Sequence, residues 1–245
     1  MFFLYFSVPL IAFLYASVGF GGATGYLAVM SLFRIPPQVM ASTALFLNIL
    51  VSTISFVNFY RAGHLRRDLL LPFLLPSIPA AFLGGYWKIT ERLYFALLYA
   101  VLTLVAIRLL LFTRKSDEDR PLRPIAPSAA LLIGAGIGLL SGMVGIGGGI
   151  LLSPIILFAR WGNARQASAV SAAFILLNSI SGLIGRISGG TFALTPLSLS
   201  LIPLALFGAL AGSYWGAARF QGTSLRRILG AVMGFAALNF WWKFF

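Results

Sequence analysis

Long apolar stretches separated by short polar connections are the feature that most constrains the fold of this 245-residue chain. Only 9% of its residues are charged, whereas about 25% is usual in a soluble globular domain. A chain in lipid has to satisfy its backbone hydrogen bonds internally, and apolar stretches of this length do so as helices. The sequence therefore predicts an all-α polytopic membrane protein, and it excludes an ordinary cytoplasmic globule, a disordered chain and a coiled coil.

The first 33 residues are almost continuously apolar, but glycines interrupt them at Gly19-Phe20-Gly21-Gly22. As one helix they would be about 50 Å long, too long for a single span of a hydrocarbon core about 30 Å thick. We therefore predict two shorter helices, at about 2–18 and 22–33, that meet at the glycines. Eight further apolar segments bring the total to about ten, at about 38–60, 67–87, 92–113, 128–144, 148–159, 165–185, 192–216 and 224–242.

The second half of the chain repeats the first. The glycine stretch at 17–23 has a counterpart 126 residues later, at 143–149. Smaller matches at offsets of 127 to 130 pair Pro76 with Pro203, Gly85 with Gly212 and Asn48 with Asn178. These matches predict a first transmembrane repeat at 1–113, a cytoplasmic linker at 114–127 and a second transmembrane repeat at 128–245.

The basic residues indicate how the repeats are oriented. With five segments in each half, the second half is inverted relative to the first, and the connections on one side carry twelve basic residues: Arg61, Arg66, Arg67, Arg114, Lys115, Arg120, Arg123, Arg160, Arg165, Arg219, Arg226 and Arg227. The other side carries five: Arg34, Lys88, Arg92, Arg186 and Lys243. Positive charge collects on the cytoplasmic side. We therefore expect two inverted five-segment repeats with glycine-broken helices, in a bacterial inner membrane, with both termini outside.

Composition also limits the chemistry that we expect. The chain has no cysteine and one histidine, His64, so we expect no metal site and no cofactor. Its five acidic residues lie at or between the ends of the apolar segments, which makes an enzyme improbable: Asp68, Glu91, Asp117, Glu118 and Asp119. The net charge of +13 resides mostly in the connections, so we expect it to anchor the chain to the lipid bilayer and not to bind nucleic acid.

The two glycine breaks are the main candidate site. A helix that restarts after a break exposes backbone N–H groups, and a helix N-terminus attracts anions through these groups and its dipole. The break residues are therefore the predicted ligands of a small anionic substrate: Gly21, Gly22, Ala23, Gly147, Gly148 and Gly149. The alternative is that these glycines only allow close helix packing, as we expect for the regularly spaced Gly134, Gly138, Gly142, Gly208, Gly212 and Gly216.

The third and eighth segments carry unusually many polar side chains for helices in lipid. Thr43, Asn48, Ser171 and Asn178 could donate hydrogen bonds to an anion without the cost of a buried charge. Interhelical hydrogen bonding is an equal alternative, although the recurrence of asparagine in both halves favours binding. Arg186, at a segment end, is expected to be an interfacial anchor, with attraction of anions at the outer mouth as the alternative.

The two glycine stretches also carry a family resemblance. Each half opens with an apolar helix that leads into G-x-G-G-G/A, followed by a polar A-x-T/S-A segment. This arrangement resembles the TauE/SafE sulfite and organosulfonate exporters over nearly the whole chain. The best match is 144–154, VGIGGGILLSP, whereas the first half departs from it, with Ala23 in place of a glycine and Ala28 in place of Pro154. The resemblance implies transport of sulfur-containing or related organic anions across the bacterial inner membrane.

The residues suggest a mechanism that fits this resemblance. No apolar segment has a carboxylate near its middle, so the usual proton or sodium relay is missing. An inside-negative potential favours the exit of anions by about 2.3 kcal/mol per charge per 100 mV. The hypothesis is an exporter of sulfite or organosulfonates that works by alternating access. A passive channel for a small solute and a non-transporting membrane scaffold are the rival possibilities.

Overall fold

The computed structural model describes residues 2–17, 19–33, 35–111 and 122–218, together with Gly234 and Leu238. The elements in these ranges are helices, which confirms the all-helical class. In chain order they are α1 (Phe2–Ala16), α2 (Ala23–Leu32), α3 (Pro37–Arg61), α4 (Arg67–Tyr86), α5 (Glu91–Leu111), α6 (Pro127–Val144), α7 (Gly149–Phe158), α8 (Ala164–Ser188) and α9 (Pro196–Ala218). The expected tenth segment, at 224–242, lies outside the described ranges, as does most of the linker.

The helix bounds follow the apolar segments closely, with one notable difference at α9. This helix starts at Pro196, four residues later than the hydropathy suggests. Proline suits the first position of a helix, and the hydroxyl of Thr195 accepts a hydrogen bond from the Ser198 N–H at 3.3 Å. Five of the described helices have the length and apolar composition to cross a bilayer: α3, α4, α6, α8 and α9.

Each glycine break turns the chain back on itself. The rings of Phe3 and Phe33 lie 6.5 Å apart, which places the end of α2 next to the start of α1. In the second half, the Arg123 N–H donates to the carbonyl of Arg160 at 2.8 Å, so the chain after α7 lies next to the chain before α6. In each half, therefore, the short helix returns toward the end where the long helix began.

The centre of the molecule is formed by α3 and α8, which pass each other in opposite directions. Both helices have 25 residues, and they begin 127 residues apart. The Asn48 Nδ2 atom lies 3.4 Å from Ser179 Oγ. Toward the other end of α3, Phe59 and the early α8 residue Ser168 both pack against Gly19. The antiparallel contact leaves the middle of both helices buried, and both breaks pack there.

Glycines bring the flanking helices close together along two parallel pairs. The helices α4 and α6 run in the same direction, as do α1 and α9, and backbone carbonyls of one helix pack directly on glycines of the other. The contacting pairs are Phe73 with Gly134, Ser77 with Gly138, Ala81 with Gly142, Pro9 with Gly208 and Phe13 with Gly212. The described part of the expected packing pattern is thereby confirmed.

The contact between α4 and α6 gives a first prediction. A Cβ atom on Gly142 would overlap the carbonyl oxygen of Ala81, whereas nothing lies within 4 Å of a Cβ on Gly136 of the same helix. We expect Gly142→Ala to lower the thermal midpoint of the detergent-purified protein, because the two backbones have to separate. Gly136→Ala is the matched control and should leave the midpoint unchanged or raise it. Equal midpoints for the two variants would contradict this packing.

Candidate anion-binding site

The two glycine breaks approach from opposite ends of the α3–α8 pair and meet at its middle. Gly19 packs against Phe59 near the end of α3, and Gly145 packs against Ala41 near its start. Two residues further along each break, Gly21 and Gly147 both pack against Asn48 and Ile175. The structure therefore brings the two predicted break sites together in one place.

Glycine is required at both helix starts. Gly22 precedes α2 with φ +92°, and Gly148 precedes α7 with φ +79°. Residues with a Cβ rarely adopt this left-handed backbone conformation. A Cβ on Gly148 would also lie 2.6 Å from Ile137 Cγ2 and 2.9 Å from Phe174 Cε1. These glycines set the direction in which each short helix begins, and hence where its free N–H groups point.

The first helix start is capped by Asn48. Its Oδ1 atom accepts a hydrogen bond from the Ala23 N–H at 3.1 Å, and its Nδ2 atom donates to Ser179 Oγ at 3.4 Å. The Asn48 side chain is fully buried. Because the amide oxygen is already paired with the backbone, Asn48 holds the first break in place in this conformation.

The second helix start has no such cap. The residue of α8 that matches Asn48 at the 127-residue offset is Ile175, whose hydrocarbon side chain cannot accept a hydrogen bond. Ile175 packs against Gly149 instead, with its Cγ1 atom 2.5 Å from where a Cβ on that glycine would lie. No group in the described part of the chain accepts from the N–H of Gly149 or Ile150. The break thus presents two consecutive backbone donors in the protein interior.

Ser171 lies beside this second helix start. Its carbonyl oxygen would be 2.7 Å from a Cβ on Gly149, and its side chain is fully buried. The Ser171 hydroxyl has no hydrogen-bond partner among the described residues. The structure therefore joins Ser171 to Gly147, Gly148 and Gly149, as a site that includes it requires.

Asn178 is not the structural counterpart of Asn48, so that part of the repeat alignment is wrong. At the 127-residue offset Asn178 matches Val51. The error has a simple origin, because three residues are nearly one helical turn and the two alignments look alike. Asn178 Nδ2 donates to the carbonyl of Phe174 in its own helix at 2.9 Å, and its Oδ1 atom has no partner in the described ranges.

Thr43 and Arg186 are placed differently from the sequence expectation. The hydroxyl of Thr43 shares a hydrogen bond with Ser198 of α9 at 2.7 Å, so it joins two helices and is not brought to the breaks. Arg186 is only 5% exposed, which is not the position of an interfacial anchor. Its side chain is turned inward, onto the end of α6, because it can donate to carbonyls there.

Sequence reasoning missed three residues of the site. Ile175 and Ser179 were overlooked because the glycine match was not extended through α8 at an offset of 127. Tyr26 lies one turn after Gly22, and its ring packs over that glycine. The Tyr26 hydroxyl is buried and has no partner among the described residues. An aromatic residue one turn after a helix-starting glycine is the signal that could have found it.

Comparison with known proteins identifies the family. The family model described as sulfite exporter TauE/SafE matches residues 4–240. The chain belongs to the TauE/SafE family. No solved structure gives a significant match to it.

Proteins similar to this TauE/SafE member are named as transporters. A probable membrane transporter protein of Sinorhizobium fredii is 36% identical over 234 residues, which cover 95% of this chain and 94% of that protein. A protein of the same description from Methanocaldococcus jannaschii is 29% identical, over 66% of this chain and 53% of its own length. A third, from Bacillus subtilis, is 26% identical over 76% and 74% of the two chains. These names support a multi-pass membrane transporter.

The cap on α2 gives a second prediction. Asn48→Ala leaves the buried Ala23 N–H without an acceptor, and such a loss costs about 1–3 kcal/mol. We therefore expect it to lower the stability of the purified protein more than Asn178→Ala, which removes an equally buried asparagine that binds only its own helix. Thermal unfolding of the two variants measures the difference, and equal losses would show that the cap does not hold the first break.

Proposed function

We propose that this chain exports small sulfur-containing anions, such as sulfite or organosulfonates, and binds them at the second glycine break. The observation that carries the proposal is the pair of unpaired N–H groups at Gly149 and Ile150, buried at a helix start. Backbone donors and a helix dipole together favour an anion there. The buried Ser171 hydroxyl next to Gly149 adds a third donor.

We further propose that the two halves are inverted repeats of five segments. Three observations support this arrangement. The matching helices α3 and α8 are antiparallel, each short helix returns toward the end where its half begins, and α4 packs along α6 as α1 packs along α9. The last pairing is what the repeat requires, since it exchanges α1 with α6 and α4 with α9. Transporters with inverted repeats place their substrate at broken helices near the midplane.

Burial of the breaks favours alternating access over an open channel. Residues 19–30 and 145–154 are buried throughout this conformation. An anion therefore reaches the Gly149 N–H only when one half moves against the other. A passive channel would instead leave its lining residues in contact with solvent.

The membrane potential gives the direction of transport. With the loops rich in arginine inside, the cell interior is negative, and an anion gains about 2.3 kcal/mol per charge per 100 mV by leaving. The chain has no carboxylate near the middle of an apolar segment for a coupled cation. We accordingly place the protein in a bacterial inner membrane, with both termini outside, as a uniporter or exchanger.

The cap difference between the two breaks gives a third prediction. Ile175→Asn would put an amide oxygen at the start of α7, where Asn48 puts one at the start of α2, and this oxygen would occupy the donors proposed for the anion. A ligand at a hundredfold excess over its Kd stabilises a protein by about 2.7 kcal/mol. We expect sulfite or sulfoacetate to raise the thermal midpoint of the wild-type protein and of Ile175→Leu, but not of Ile175→Asn.

Transport itself is measured in liposomes that contain the purified protein. We expect saturable sulfite or sulfoacetate efflux, driven by an inside-negative potential and lost in Ile175→Asn. Flux that rises linearly with concentration would favour the channel. Absence of both flux and thermal stabilisation with every sulfur oxyanion would overturn the proposed function and favour a scaffold.

A further inference from the structure

A buried arginine without a carboxylate partner lies at the end of α6. Arg186 Nη2 donates to the carbonyls of Gly142 at 3.1 Å and of Met143 at 2.6 Å. The Nε atom has no partner among the described residues, and only 5% of the side chain is exposed. Within the described ranges, the ion pair that the structure contains joins Arg66 to Asp68, at a distant helix start.

The sequence has few carboxylates that could neutralise this charge. Asp68 is paired with Arg66, and Glu91 is exposed at the start of α5. The remaining three acids, 117–119, belong to the linker that precedes α6, whereas Arg186 binds the opposite end of that helix. Carbonyl oxygens at a helix C-terminus stabilise a cation only partly. A buried charge without a full partner is costly, so this guanidinium calls for a counter-ion.

The position of Arg186 connects it to the second break. The carbonyls that it binds lie within three residues of Gly145, the first glycine of that break. On α8, Arg186 follows Ile175 and Ser179 at spacings of seven and eleven residues, which keep all three on one helical face. Both of those residues pack against Gly147. The charge therefore lies on the same face as the break, about two to three helical turns from its centre.

The first half has no equivalent charge. At the 127-residue offset, Arg186 matches Phe59, which packs against Gly19 as Arg186 packs beside Gly145. One end of the α3–α8 pair thus carries a cation and the other end carries an aromatic ring. Helix packing alone needs no such difference between matched positions, since both are buried beside a break.

We propose that Arg186 is the residue that makes the transport path selective for anions, by binding the negatively charged group of the substrate at the α6 end of the second break. The proposal rests on the proposed function and specifies its substrate class: solutes with a full negative charge, in preference to neutral solutes of the same shape. The substrate supplies the counter-ion that the chain lacks. Arg186 Nε is the free donor for it.

Methanesulfonate and dimethyl sulfone test this selectivity, since they are similar in size and shape but only the first is charged. We expect methanesulfonate, and not dimethyl sulfone, to raise the thermal midpoint of the wild-type protein. Arg186→Gln keeps a donor for the α6 carbonyls but removes the charge. We expect it to weaken methanesulfonate binding at least tenfold, and Arg186→Lys to weaken it less because the charge remains.

Arg165→Gln is the matched control, because it removes an exposed arginine from the same helix and should bind methanesulfonate as the wild type does. Wild-type affinity in Arg186→Gln would overturn the inference and leave Arg186 as a cap on α6. If Arg186→Gln fails to fold, Arg186→Lys decides: unchanged selectivity and weakened binding support the inference, and loss of selectivity with the charge retained overturns it. A wild-type protein that no sulfur oxyanion stabilises would overturn the proposed function as well.

Discussion

The structure depends on one constraint: a backbone N–H group buried away from water has to find an acceptor. An unbroken helix meets this requirement by itself, whereas a helix that restarts inside the protein leaves its first donors unpaired. This chain restarts a helix twice, at Ala23 and at Gly149, and both starts are buried. The packing of α3 against α8 encloses these starts, and the glycines of the breaks allow the close approach.

The two halves satisfy this constraint differently, and the difference gives the molecule its function in our account. In the first half a protein side chain, Asn48, accepts the leading N–H. In the second half the matching side chain is Ile175, and the leading donors remain unpaired in the described structure. A second difference, Phe59 against Arg186, adds a positive charge on the side of the uncapped helix. A duplicated scaffold thus has one break that is closed by the protein and one that is suited to an anion.

Much of this arrangement could be predicted from the sequence. Apolar length and glycine position were sufficient for the broken helices, and α2 and α7 begin within one residue of the predicted positions. The convergence of the breaks followed from the repeat. The role of Asn48 did not, since whether an amide caps a helix or meets a ligand depends on an N–H contributed by a residue 25 positions away. Arg186 was misplaced for a similar reason: its position near a segment end is compatible with either an interface or an interior, and only the path of α6 distinguishes them.

Protection of the second break by substrate is the measurement that tests the central claim most directly. The chain has no cysteine, so Ser171→Cys introduces a single thiol beside Gly149. The rate at which N-ethylmaleimide alkylates this thiol in membranes should fall as sulfoacetate is added, and reach a plateau when the site is full. Acetamide, which is neutral, should not change the rate. Alkylation that is independent of sulfoacetate, in a protein that nevertheless transports it, would place the anion elsewhere and contradict the account.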